Sequence, residues 1–64
     1  MTFREVERKL KAADWLLIRV SGSHHQFRKA GNPNTITVPN HNGKDLSIGV
    51  IRNLEKSTGL SFRR

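Results

Sequence analysis

The chain has 64 residues, with 12 Lys and Arg against 5 Asp and Glu, a formal charge of +7 and a pI near 11.3. At this length there is room for one domain with a thin core, burying roughly 60% of the surface that the unfolded chain exposes. The absence of Cys excludes disulfide staples and thiolate zinc sites, and no apolar run is long enough to span a bilayer.

The opening Met1-Thr2-Phe3-Arg4-Glu5 has no basic segment followed by an apolar stretch, so a cytoplasmic chain without a signal segment is expected. Such a positive balance calls for a polyanion or an acidic protein as partner, and RNA, DNA and an acidic binding protein all meet that requirement. The cations run from Arg4 to Arg64 and are not gathered in one arm, which points to a folded, charged surface.

Thr2-Phe3-Arg4-Glu5 matches a capping box and predicts a helix start. Phe3, Val6, Leu10 and Ala13 recur at spacings of three and four, so the first helix should run to about Ala13 with Arg4, Arg8 and Lys11 turned to solvent. Trp15 to Val20 is short and rich in strand formers, and reads as the first strand. Gly22-Ser23 makes a tight turn into a second strand, His24 to Lys29. Ala30 to Asn34 is dense in turn residues, and Thr35-Ile36-Thr37-Val38 alternates as a third strand that Pro39 should stop.

Pro39 to Asp45 is a polar loop holding the third histidine, after which Ser47 or Asp45 caps a second helix with Ile48, Ile51 and Leu54 on one face and Val50 beside Leu54. Gly59 should end that helix in the left-handed conformation of a Schellman stop, with Leu60 folding back on Leu54. Residues 1–60 then form the domain, and Ser61 to Arg64 a frayed basic tail. The order helix, three strands, helix is an α+β arrangement in which both helices must cover the same face of a small antiparallel sheet, leaving the other face in water.

That open face is where function should lie. With Phe27 directed to the core, alternation puts His25 and Lys29 on its side and His24, Gln26 and Arg28 on the other. If Leu16, Ile18 and Val20 face the helices, Leu17 and Arg19 join His24; with Ile36 and Val38 inward, Thr35 and Thr37 do as well. A bulge at Gly22 would exchange His24 and His25. Imidazole is the side chain that exchanges protons near neutral pH, so Ser21-Gly22-Ser23-His24-His25-Gln26-Phe27 is the stretch that most resembles chemistry.

His24 and His25 diverge in a strand and His41 is distant in sequence, which matches no zinc spacing. Ser23 is the immediate neighbour of His24, a poor geometry for a serine–histidine pair, and no G-x-S-x-G turn or phosphate-cradling glycine loop is present. No metal or other cofactor is expected.

The chain resembles the HicA family of toxin–antitoxin mRNA interferases, small proteins with a dsRBD-like α-β-β-β-α fold. The resemblance covers roughly Phe3 to Leu60: the amphipathic first helix, Ala13-Asp14-Trp15, Gly22-Ser23-His24-His25-Gln26-Phe27, Thr37-Val38-Pro39, Lys44-Asp45-Leu46, the helix from about Ile48, and Ser57-Thr58-Gly59-Leu60. It implies cleavage of mRNA with His24 as the catalytic residue, and a HicB-type antitoxin that covers the site. Two departures stand out. Ser47-Ile48-Gly49 replaces a frequent Pro at the helix start, and Asn40-His41-Asn42-Gly43 replaces a loop that is often rich in Pro and Lys. The latter predicts weaker RNA contact there without loss of activity. An ordinary double-stranded-RNA binder would set lysines at the start of the last helix, where Ile48-Gly49-Val50-Ile51 offers none.

For RNA cleavage a protein needs to position the backbone, move two protons and stabilise charge on the phosphorus, because the substrate brings its own 2′-hydroxyl nucleophile. In that scheme His24 is the general base or acid. Arg19, Arg28 or a lysine (Lys29, Lys44) neutralises phosphate, and Gln26 or Ser23 orients it. The competing reading is a non-catalytic RNA-binding module in which His24 is replaceable.

Overall fold

The computed structural model describes residues 1–41 and 43–62, so Asn42 of the polar loop and Arg63 and Arg64 of the expected tail lie outside the described residues. Helix α1 spans Phe3–Ala12. Its capping box is formed: the Glu5 amide donates to the Thr2 hydroxyl at 3.3 Å, and the Thr2 amide donates to the Glu5 carboxylate at 3.1 Å. Asp14 turns the chain out of the helix at φ 70°, a left-handed conformation that Asp tolerates better than most residues.

Strands β1 (Trp15–Ser21), β2 (His24–Lys29) and β3 (Thr35–Pro39) form one antiparallel sheet in the order β1-β2-β3. Gly22, at φ 59°, supplies the left-handed first central position of the β1–β2 turn. Pro39 does not halt β3 but closes it, and the Asn40 amide carries the pairing one step further by donating to the Ser23 carbonyl at 2.7 Å.

Helix α2 spans Ile48–Thr58. Ser47 is its cap, its hydroxyl accepting from the Val50 amide at 3.2 Å, whereas Asp45 bridges to Thr2 and lies outside the helix. Gly59 takes the left-handed conformation at φ 74° and its amide donates to the Glu55 carbonyl at 2.9 Å. The stop is the simpler single-bond form and not the Schellman motif, because the Leu60 amide donates to the Thr58 hydroxyl, which itself donates to the Leu54 carbonyl. Leu60 still packs, half-buried, against the core. Ile48, expected on the inner face, is 72% exposed in the first turn, and Leu54 carries the burial with help from Val50 and Ile51.

One cluster gathers Phe3, Val6 and Leu10 of α1 with Trp15, Phe27, Ile36 and Val38 of the sheet and Leu46 and Leu54 from around α2. Both helices therefore cover the same sheet face. The cluster also takes in Phe62, 3% exposed, whose amide donates to the Glu55 carboxylate at 3.0 Å, while the Lys9 ammonium donates to the Ser61 carbonyl. Ser61 and Phe62 are thus docked where fraying was expected. An aromatic ring placed after a helix stop recovers more by burial than its backbone loses in freedom.

Candidate functional site

Register decides what shares the open face. Across β2 and β3, Arg28 faces Thr35, Gln26 faces Thr37 and His24 faces Pro39; the intervening pairs, Phe27 with Ile36 and His25 with Val38, carry the core. Residues directly opposite lie on one side of a sheet, so His24, Gln26, Arg28, Thr35 and Thr37 all look away from the helices, as the alternation predicted.

Strand β1 corrects the expectation. Trp15 pairs with Lys29 and Leu17 with Phe27, which puts Leu17 on the helix side and Leu16, opposite Arg28, on the open side. The register then shifts between Leu17 and Arg19, so the bulge is at Ile18 and not at Gly22. Beyond it Arg19 faces Gln26, Val20 faces His25 and Ser21 faces His24. Arg19 reaches the open face through this change of phase.

The result is a ladder of three rows: Ser21, His24 and Pro39; Arg19, Gln26 and Thr37; Leu16, Arg28 and Thr35. Successive rows are two residues apart, about 7 Å, so Arg28 lies about 13 Å from His24 along β2. Among the described residues the exposed His24 imidazole has no hydrogen-bond partner, and the Arg19 and Arg28 guanidiniums are in no ion pair. The five acids, Glu5, Glu7, Asp14, Asp45 and Glu55, all fall outside the strands. Among the described residues the rows of the open face therefore present cations, a free imidazole and neutral donors with no carboxylate among them. This is a surface for a polyanion.

His25 has a different setting. It is half-buried, with its ring centroid 4.5 Å from that of Phe3 at an interplanar angle of 54°, and its Nδ1 lies 3.4 Å from the Ser23 carbonyl. It packs the sheet to α1.

Three further site residues lie off the ladder, the first being Ser23, exposed in the β1–β2 turn beside His24. Lys44 lines a shallow depression with Ser23, Asn40 and His41, held beside the β1–β2 turn by the bond from Asn40 to Ser23. Lys29 is half-buried on the helix side and lines a groove with Leu16, Ile18 and Arg28 at the far end of the sheet from His24. Ser21, part of the motif but given no role there, falls opposite His24, and His41 comes beside Ser23. Treating Gly22-Ser23 as a two-residue hairpin turn is enough to set Ser21 opposite His24, but the approach of His41 depends on a loop of no regular pattern. Among the described residues no group of three His, Cys, Asp or Glu side chains converges as metal ligands would, and no helix is long and apolar enough to cross a membrane.

No curated protein matches the chain significantly. Residues 3–60 match the model of a family described as the HicA toxin of bacterial toxin–antitoxin systems, which is nearly the whole chain and includes every row of the ladder. The protein therefore belongs to the HicA toxin family.

Proposed function

We propose that the protein is the toxin of a toxin–antitoxin pair and acts as a metal-independent endoribonuclease on mRNA in the cytoplasm, with His24 as its proton-transfer residue and a HicB-type antitoxin as its inhibitor. The observation that carries this reading is the exposed, unpartnered His24 on a carboxylate-free sheet face, one row from Arg19 and Gln26. Family membership supplies the toxin–antitoxin context.

In this mechanism the 2′-oxygen attacks the adjacent phosphorus and gives up its proton, and the bond from phosphorus to the 5′-oxygen breaks. A proton is delivered to that leaving oxygen. The products are a 2′,3′-cyclic phosphate and a free 5′-hydroxyl. His24 takes or delivers one of the two protons, a contribution of about 10²–10⁴ in rate. Arg19 neutralises the charge that develops on the phosphorane, and Gln26 and Ser23 orient the phosphate. Arg28, a row further along, and Lys44 and Lys29, at opposite ends of the sheet, hold neighbouring phosphates of the strand.

The test is cleavage of end-labelled single-stranded RNA in excess chelator by the wild-type chain, His24→Ala and His25→Ala. Wild type and His25→Ala should cut to cyclic-phosphate ends while His24→Ala does not. Loss of wild-type cutting in chelator would sink the metal-independent mechanism. RNA that is bound but left intact by all three, with translating ribosomes present as well, would make the protein a non-catalytic RNA-binding module.

A further inference from the structure

Strand β1 has the composition of a strand from the middle of a sheet but occupies an edge. Leu16 and Ile18 on the open side are 65% and 53% exposed, and Leu17 and Val20 on the helix side are 39% and 52% exposed. Strands that read as continuous apolar runs are normally covered on both faces and paired on both sides. The other edge, β3, shows how this protein finishes a strand that stays in water: Ile36 and Val38 point inward, Thr35 and Thr37 outward, and Pro39 removes a donor. β1 has neither Pro nor Lys along its seven residues, its bulge residue Ile18 is aliphatic, and its one charge, Arg19, is on the open side.

We propose that the outer edge of β1 is the docking site for an extended segment of an acidic protein, the antitoxin of the pair, which adds to the sheet as a fourth strand. This rests on the toxin–antitoxin reading above and specifies where and how the partner binds. The charge of the chain selects the partner. Two copies joined edge to edge would bring +7 against +7, with Arg19 of each copy in the shared sheet. An added strand with Asp or Glu opposite Arg19 and apolar residues opposite Leu16 and Ile18 satisfies both kinds of side chain. RNA fits less well, since single-stranded nucleic acid is held by aromatic stacking and this strip is aliphatic. The groove that Leu16 and Ile18 line is bordered on its inner side by Arg28 and Lys29 of β2, which adds positive potential near the edge for an incoming acidic segment.

The experiment uses the full chain and the protein encoded beside it, with hydrogen exchange on the free toxin and on the complex, and a binding titration with Ile18→Lys and with Thr35→Lys as the control on the opposite edge. Lysine on an edge strand is a common guard against strand addition, and Ile18 is exposed enough to accept it. The β1 amides that face away from β2 should exchange more slowly on binding, and Ile18→Lys should weaken the complex by at least about tenfold while Thr35→Lys changes it by less than about twofold. Free Ile18→Lys should unfold cooperatively as wild type does, which shows that the weaker complex is not a loss of fold.

A tight complex in which β1 exchanges as in the free toxin and Ile18→Lys binds normally would overturn the edge-strand site and leave the toxin reading intact. A free chain that sediments as a dimer disrupted by Ile18→Lys would give the edge to a second copy. Weaker RNA binding by Ile18→Lys, with the complex unaffected, would give it to the substrate. Failure of the two proteins to associate would overturn this inference, whereas the His24 assay decides the nuclease independently.

Discussion

Replacing His24 and His25 one at a time by Ala should separate chemistry from packing across a single peptide bond. The His25 ring lies tilted against that of Phe3 at 4.5 Å, a ring that is itself buried, and His25 faces Val20 and Val38 on the helix side. An aromatic pair of this kind contributes about 0.5–1.5 kcal/mol beyond its buried area, and the half-buried ring adds some further apolar contact, so His25→Ala should cost about 1–2 kcal/mol. For a domain of this size each kcal/mol moves Tm by about 4–8 °C, which gives a fall of about 4–16 °C. His24 is exposed and unpartnered, so His24→Ala should stay within about 0.5 kcal/mol of wild type while its cleavage rate drops by about 10²–10⁴. Thermal unfolding followed by circular dichroism gives one axis, and initial rates on end-labelled RNA well below either Tm give the other. If His25→Ala abolished cutting at unchanged Tm while His24→Ala lowered Tm, the two faces of β2 would be exchanged and the register reasoning refuted.

Substitutions at three other positions test how the fold holds that face. Asp14 pays for its left-handed φ of 70°, so Asp14→Gly should raise stability by about 0.5–1 kcal/mol and Asp14→Val lower it by about 1–2 kcal/mol, both read from urea midpoints at constant m. Phe62→Ala removes a ring that is 3% exposed and should cost about 3 kcal/mol, at the low end for Phe because a segment near the end of the domain can relax; a Tm within a few degrees of wild type would show that the ring is not part of the core. Thr2→Ala deletes the acceptor for the Glu5 amide and should cost about 1 kcal/mol, and a variant as stable as wild type would mean that water replaces the cap without loss.

How far the sequence could be read depended on whether a local pattern had one solution. Thr2 with Glu5, and Gly59 after Leu54, are short-range signals whose hydrogen bonds close within one helical turn, so both helix boundaries were legible. β2 and β3 were legible for a related reason: Phe27, Ile36 and Val38 are flanked by polar residues, so only one face can be buried, and the face of His24 follows. Phe62 was illegible because a lone aromatic among basic residues carries no period, and its burial depends on Glu55 and α1 arriving from elsewhere in the chain.

β1 failed differently, and its failure bears on function. Trp15-Leu16-Leu17-Ile18 offers no polar position to mark the outside, so assigning Leu16, Ile18 and Val20 inward was as consistent with alternation as the observed Trp15 and Leu17 followed by a bulge. The wrong phase still put Arg19 outward, because the bulge at Ile18 cancelled the error before Arg19 was reached. A strand whose faces cannot be told apart in sequence is one in which both faces are apolar, and such a strand is stable at an edge only at the cost of wetting Leu16, Ile18 and Val20. With its other two strands patterned for one wet face, the sheet has no internal use for that surface. The ambiguity of β1 in sequence and its exposure in the fold thus have one physical origin, a strand apolar on both faces with no fourth strand beside it among the described residues.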